Sequence, residues 1–370
     1  YGHLHKRLSF VEFLRQEGYI TLGFSFTPVL SCSRAFHKGF LIYVDSPPDY
    51  RHKNRFLRRL LNVGINLIPK DALIKPWCAA LYNIINNIPW RRMVIASHEP
   101  YNMVFAKFYV PFNDDKVIHR FLKKLQSLRL IKGYKIYETH EELFGLGLNS
   151  KYIDVKEKSV RLPWNEWYEE ISSLSSWNHN ILPIDITKEP EYKVYVDKHD
   201  VMILEALEIN AFKEYTEIGR EINLSPSTVK HHYVKHLIGY GIILGYVPRA
   251  TLFHPDMLKY LYAIIDFYDR KTMFSFINTL WNSPVMVRLA KVLGDDKIIA
   301  TILVPRTDEL KFLAFMERLV RDNIIYDYRL YPLVFKTLSS WTIPAEMFTE
   351  RGWLSGWDII LKVIRRVLRE

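Results

Sequence analysis

Cysteine is almost absent. Cys32 and Cys78 are the only two among 370 residues, too few for a disulfide framework or a four-cysteine metal site, so a reduced, cytoplasmic protein is expected. No apolar run reaches the ~18 residues that a membrane-spanning helix needs. The start lacks the charged segment, apolar core and small-residue cleavage site of a secretory signal. It begins at Tyr1 rather than Met, from which a missing or processed natural N-terminus is expected. Also lacking are a Gly-rich phosphate loop, a Gly-x-Ser-x-Gly elbow and a His-Glu-x-x-His helix. An enzyme is therefore not expected, nor a cofactor.

Apolar residues make up 49% and charged residues 25%, enough to pack the cores of roughly two to three domains. The positive charge is unevenly placed. Residues 1–150 hold 22 Lys/Arg against 11 Asp/Glu, whereas the remainder holds 29 of each. The whole excess of +11 thus lies in the first two-fifths of the chain. That asymmetry points to a polyanionic partner, nucleic acid before a membrane surface, or to a solvated surface that keeps the chain soluble.

The chain also repeats itself. Met93–Pro111 and Met286–Pro305 both read as strand, short connection and strand with a closing Val-Pro. At a shift of 194 residues, Ile118, Phe121, Leu122 and Leu125 fall on Phe312, Phe315, Met316 and Leu319. Their spacing of i, i+3, i+4, i+7 is the apolar stripe of a helix. Tyr134-x-Ile136-Tyr137 then falls on Tyr328-x-Leu330-Tyr331, a strand in each copy. Upstream, Phe40–Val44 and Lys259–Phe267 read as strands and Lys271–Leu280 as a helix; the first copy has two helical stretches, near His52–Val63 and Trp77–Ile88, one of them an insertion. The order βαββαβ predicts a ferredoxin-like unit, twice.

Between the units, Asp197–Asn210 reads as a helix with Ile203, Leu204 and Leu207 inward, and Tyr215–Asn223 as a second, short one. Ser225 is placed as N-cap, with Pro226 at the first position of a third helix. A strand, Ile242–Arg249, follows. Three helices, a tight turn before the last, and a β-wing predict a winged helix-turn-helix. Phe10-Val11-x-Phe13-Leu14-x-x-x-Gly18-x-Ile20 echoes Tyr233-Val234-x-His236-Leu237-x-x-x-Gly241-Ile242-Ile243, without the two preceding helices.

Four stretches carry a resemblance to the leucine-responsive regulator/AsnC (Lrp/AsnC) family of transcriptional regulators. They are Asp197-x-x-Asp200-x-x-Ile203-Leu204-x-x-Leu207, Ile218-Gly219, Leu224-Ser225-x-Ser227-Thr228-Val229, and Leu237-x-x-x-Gly241-Ile242-Ile243-x-Gly245-Tyr246. The βαββαβ unit behind them is similar to that family's ligand-sensing domain, including Gly294-Asp295 between its middle strands. The resemblance implies an α+β chain of winged helix-turn-helix plus ferredoxin-like βαββαβ domain in two tandem copies, the first winged helix incomplete. Family members dimerise through the sensing domain, so two units in one chain pair internally, or a homodimer displays four. The sequence also departs from the pattern. Val229 to Leu237 spans eight residues instead of the usual seven, an extra residue near Tyr233; His231 and His232 replace the common arginine; and His98-Glu99-Pro100 replaces the Gly-Asp connection in the first copy.

The expected division is 1–30 a partial winged-helix remnant, 31–145 a basic ferredoxin-like domain with the helical insertion, and 146–196 a Trp-rich linker. Then come 197–250 the winged helix, 251–335 the second ferredoxin-like domain, and 336–370 an aromatic, basic helical tail. Linker and tail, with Trp164, Trp167, Trp353 and Trp357, are expected to dock short helices on their own or a neighbouring module. In the tail Ile359, Ile360, Val363, Ile364 and Val367 form an apolar stripe beside Lys362, Arg365, Arg366 and Arg369, expected to dock on protein rather than on a membrane.

Candidate nucleic-acid contacts on the third helix are Ser225, Ser227, Thr228, Lys230, His231 and Lys235. In the basic half they are Arg51, Lys53, Arg55, Arg58, Arg59, Arg91, Arg92, Arg120, Lys123 and Lys124. The winged helix can equally serve as a packing or protein-binding module. Gly294, Asp295 and Asp296 are candidate ligand residues: the glycine permits close backbone approach, and the acids offer charge to the amino group of an amino-acid effector. Such a pair also commonly decorates a β-turn. His232 and His236 lie one turn apart, a spacing that suits metal, but no third ligand stands nearby in the sequence, so none is expected. Two functions follow as expectations. One is a DNA-binding regulator; the alternative is a ribosome-associated factor that holds rRNA of the small subunit, for hibernation or subunit dimerisation.

Overall fold

The computed structural model describes residues 25–30, 37–45, 81–97 (except 83 and 89), 103–111, 116–145 (except 129), 150–154, 159–176, 182, 196–249, 255–340 (except 282), 342–350 and 352–369. The expected basic cluster Arg51, Lys53, Arg55, Arg58 and Arg59 lies outside the described residues, as do the Phe10–Ile20 echo and His98-Glu99-Pro100.

In chain order the principal elements are β1 (Ser25–Leu30), β2 (His37–Asp45), β3 (Arg91–Ala96), β4 (Met103–Pro111), α1 (Val117–Ser127), β5 (Gly133–Phe144) and α2 (Trp164–Ser172). Next come α3 (Lys198–Ile209), α4 (Tyr215–Ile222), α5 (Pro226–His231), β6 (Ile243–Arg249) and β7 (Leu258–Phe267). The chain ends with α6 (Arg270–Leu280), β8 (Met286–Val292), β9 (Lys297–Pro305), α7 (Glu309–Arg321), β10 (Ile325–Pro332), β11 (Ser339–Ser340) and α8 (Trp357–Arg369). The fold is α+β. Among the described residues no helix is long and apolar enough to cross a membrane.

The apolar spacing of the two halves produces the same strand order in each. β2, β3, β4 and β5 lie as β5-β2-β4-β3, and β7, β8, β9 and β10 as β10-β7-β9-β8. The helical stripes face these sheets as spaced: Ile118, Phe121, Leu122 and Leu125 are fully buried on α1, and Phe312, Phe315, Met316 and Leu319 are buried on α7. The halves then join, because β5 pairs antiparallel with β8 (Leu289↔Leu143, Ala290↔Glu142). With β11 added to β3, a nine-stranded sheet results.

Accumulated right-handed twist curls this sheet until its outer strands meet. Ser97 bridges Leu333, and the Val334 N–H donates to the Ala96 carbonyl at 2.9 Å. The faces turned away from the helices therefore meet each other. Met93, Ile95, Phe105 and Tyr137 of the first half pack with Tyr262, Ile264, Ile299 and Tyr331 of the second, and the Phe105 ring lies 4.5 Å from Tyr262 and 5.2 Å from Tyr331. The two sets of strands thus share one interior. Lys107 is buried at this interior with its charge paired, bonding Glu142 at 2.5 Å and the Tyr109 hydroxyl at 2.8 Å, whereas the buried Tyr262 hydroxyl has no hydrogen-bond partner among the described residues. Burial pushes the Tyr262 hydroxyl well above its ordinary range, with Glu142 adding to the shift.

The outer helical faces are covered crosswise. α2, from the segment between the halves, sets Trp164 and Trp167 into the core of the second half, with Trp164 5.8 and 5.5 Å from Phe312 and Phe315. α8, from the end of the chain, returns to the first half, where Ile360 and Ile364 are buried with Ile118, Phe121 and Trp90. A Cβ on Gly356 would stand 2.0 Å from the Trp90 ring, so only glycine lets the chain pass there into α8. The tail thus docks on protein. Residues Ile343, Ala345 and Phe348, just before it, pack on α3 and its neighbours.

Candidate nucleic-acid interface

Capping chemistry sets the three helices. Asp197 caps α3 and forms a reciprocal box with Asp200, each side chain accepting the other's backbone N–H at 3.0 Å. Glu214 and Glu217 form the same box on α4. α4 ends at Asn223 in the left-handed conformation, and the Leu224 N–H donates to the Gly219 carbonyl at 2.8 Å. The following chain passes so close to Gly219 that a Cβ there would stand 2.5 Å from the Leu224 carbonyl oxygen. That approach is why the turn needs Ile218-Gly219. Ser225 then caps α5, its hydroxyl accepting the Thr228 N–H at 3.1 Å, with Pro226 following. Ser225→Ala is expected to destabilise this module by about 1 kcal/mol, read as a lower urea midpoint of the α3–α5 transition; an unchanged midpoint would refute the capping role.

α5 runs without a break into a π-helical stretch, His232–Ile238. Here the extra residue of the sequence is absorbed. Eight residues of α-helix would turn Leu237 about 80° away from Val229, yet both are fully buried against α3. Widening one turn restores the phase, and the Gly239 N–H reaches back five residues to the Val234 carbonyl at 3.1 Å. The outer face carries Ser225, Ser227, Lys230, His231 and Lys235 exposed, with Thr228 half-buried. Val234 and Ile238 are also exposed there. These side chains offer hydroxyl, ammonium and imidazole groups suited to phosphates and base edges, and a branched apolar surface suited to a thymine methyl. Beside the helix, β6 pairs antiparallel with β1, from Ser25↔Arg249 to Leu30↔Ile243, so the wing is completed by a strand from the start of the chain. That long-range partner was not foreseen from sequence.

The inner face holds what sequence reasoning missed. The sequence sets no third ligand near His232 and His236; the fold brings two carboxylates to them. Asp200, fully buried, receives both imidazoles: His232 Nδ1 lies 2.8 Å from its Oδ1, and His236 Nδ1 lies 3.0 and 3.1 Å from its two oxygens. His232 Nδ1 is also 3.7 Å from Asp197 Oδ2. The available signal was the pairing of Asp197-x-x-Asp200 with His232-x-x-x-His236 on two helices that pack together.

Elsewhere the expected contacts divide. Arg120, Lys123 and Lys124 are exposed on the outer side of α1. Arg92 turns inward instead: its guanidinium pairs with both oxygens of Glu208 on α3, at 3.0 Å for one, and lies 4.9 Å over the Tyr109 ring. Arg91 donates to the Ile88 carbonyl at 2.9 Å, and burial lowers its pKa against the pull of Glu346. These contacts turn the pair toward the protein rather than toward a polyanion. Gly294 takes φ +79° in the β8–β9 turn. Asp295 lies 3.6 Å from Lys297, and Asp296 3.6 Å from Arg270, so the acids expected to meet a ligand amino group already face cations of this chain.

No known family model matches the chain. The HTH-type transcriptional regulator Ptr1 of Methanocaldococcus jannaschii is 31% identical over 121 residues, which are 32% of this chain and 80% of that protein. Among solved structures, the siroheme decarboxylase NirDL is similar over 98% of this chain and 89% of its own, at 11% identity and a TM-score of 0.44. E. coli AsnC matches 38% of this chain and 93% of its own, at 21% identity and a TM-score of 0.27. The neighbour of full length is an enzyme, and it overturns the expectation that this chain is not one. Motifs missing from a sequence exclude only the chemistries that use those motifs; the likeness assigns no substrate here.

Proposed function

We propose, from the premise that the chain belongs to the Lrp/AsnC family of helix-turn-helix transcriptional regulators, that it binds duplex DNA through α5 and the π-helical turn that follows. One observation carries this reading. The helix buries Val229, His232 and Leu237 and presents Ser227, Lys230, His231 and Lys235 to solvent as one polar row. Phosphate contacts from the two lysines supply affinity, and the first turn of the helix supplies sequence preference. The two βαββαβ sets are tandem copies in this reading, with the domain division given above, and the exposed Arg120, Lys123 and Lys124 form a secondary phosphate-binding surface.

Lys230→Ala/Lys235→Ala removes two exposed cations and leaves the buried face intact. It is expected to abolish preference among genomic DNA fragments and to flatten the log–log salt dependence by roughly one unit per lost contact, both measured by fluorescence anisotropy. Equal affinity of the wild type for every fragment, with a salt slope that the variant leaves unchanged, would refute the proposal. Comigration of the wild type with small ribosomal subunits in a sucrose gradient would transfer the reading to rRNA.

A further inference from the structure

We propose that Asp197, Asp200, His232 and His236 form a binding site for one divalent transition-metal ion, with Zn²⁺ the best match to the donors. The four residues offer ligand atoms that all lie within 4.8 Å of one another. They come from the first turn of α3 and from the π-helical stretch after α5. A tetrahedral ion about 2.1 Å from nitrogen and oxygen donors holds them roughly 3.4 Å apart. Three observed separations, 2.8, 3.0 and 3.7 Å, bracket that figure, and every pair lies within 4.8 Å, so an ion enters in place of the bridging protons with side-chain displacements of about an ångström or less.

The chemistry narrows the occupant. Two carboxylates balance a double positive charge, and two neutral imidazoles complete four-fold coordination. Imidazole nitrogen selects first-row transition metals over Ca²⁺ and Mg²⁺, which take oxygen. Capping alone does not account for the arrangement. The box between Asp197 and Asp200 satisfies backbone N–H groups at the helix start and asks nothing of the imidazoles. Yet both rings converge on the same buried oxygen, with centroids 4.8 Å apart. The widened turn belongs to the same design, since it spans the segment that bears both histidines. Asp200 is fully buried, and the His232, His236 and Asp197 side chains are 11, 20 and 28% exposed, so four protein donors surround the position from a mostly buried setting, as in structural sites. A bound ion crosslinks α3 to the exposed helix. The site stands whether or not that helix binds DNA.

The test uses the full chain after treatment with a chelator. Titration with Co²⁺ is expected to give the visible absorption bands of a four-coordinate ion at one equivalent, bleached by one equivalent of Zn²⁺, and Zn²⁺ is expected to raise the unfolding temperature. Two variants locate the ion. Asp197→Asn keeps the capping acceptor for the Asp200 N–H while removing a carboxylate; His236→Ala removes an imidazole from a half-buried position. Each is expected to weaken Co²⁺ binding at least tenfold. Should His236→Ala fail to fold by circular dichroism, Asp197→Asn decides alone. No visible band in the wild type, or a band unchanged in Asp197→Asn, would overturn the proposal and leave the cluster as a hydrogen-bonded knot.

Discussion

Phe105→Ala will lower the stability of the chain by about 3–5 kcal/mol, the range for deleting a buried aromatic ring. Phe105 is fully buried, and its ring is the contact of the first half with Tyr262 and Tyr331 of the second. The gap left behind cannot collapse cheaply. Phe105 sits mid-strand on β4, which is paired on both sides, with β2 through Tyr43↔Phe105 and with β3 through Ile95↔Phe105. Neither flanking strand can move inward without breaking ladder hydrogen bonds. Chemical denaturation gives the loss, and near-ultraviolet circular dichroism shows whether the tyrosine environment loosens with it. A loss below about 1 kcal/mol would mean that the two sheets do not depend on each other's inner faces.

The second large effect is expected at Glu208→Ala. Glu208 stands near the end of α3 with its side chain 5% exposed, accepts from both terminal nitrogens of Arg92, and also accepts the Ile343 N–H at 2.8 Å. This carboxylate therefore fastens α3 to β3 and to the segment at Ile343 in one place. Removing one member of a buried ion pair costs about 3–5 kcal/mol, because the other charge stays in a poorly solvated site. Stacking of Arg92 on Tyr109 moderates the loss toward the lower end. The double variant Glu208→Ala/Arg92→Met should recover most of it, and the coupling read from the cycle is the part due to the pair. Amide exchange should rise mainly in α3 and around Ile343. Equal stability of Glu208→Ala and the wild type would show that the pair is incidental to the docking.

Local pattern was legible; long-range closure was not. The stripe Ile118, Phe121, Leu122, Leu125 and its copy at Phe312, Phe315, Met316, Leu319 were read from period alone and are buried as spaced. The cap at Ser225 was likewise visible, because a hydroxyl before proline at a helix start has a local cause. The additional residue between Val229 and Leu237 was counted, though its outcome, a π-helical turn, depends on what the helix packs against. Nothing local indicates that β1 pairs with β6, or that Arg92 meets Glu208, since those partners lie more than a hundred residues apart. β9 shows why the inner face escaped notice: Ile298 and Ile299 are adjacent and both buried, on opposite sides of the strand. A strand covered on both faces loses the alternation that marks one side as interior. The convergence of Asp200 with two histidines failed for the same reason, being a fact of helix packing.

The crosswise cover by α2 and α8 has a consequence for how the protein comes into being. The second half gathers its core from residues 143 to 325, so it can close as soon as that stretch has been made. The first half waits for Ile360 and Ile364. At a synthesis rate of about 5–20 residues per second, its own last core strand precedes those isoleucines by roughly 10–50 seconds. Throughout that interval the nascent chain bears an uncovered apolar helix face and, until β8 arrives, an open edge on β5, both of which invite aggregation. The second half therefore matures before the first, and a stop codon placed just ahead of Trp357 would leave the first half without the cover of α8.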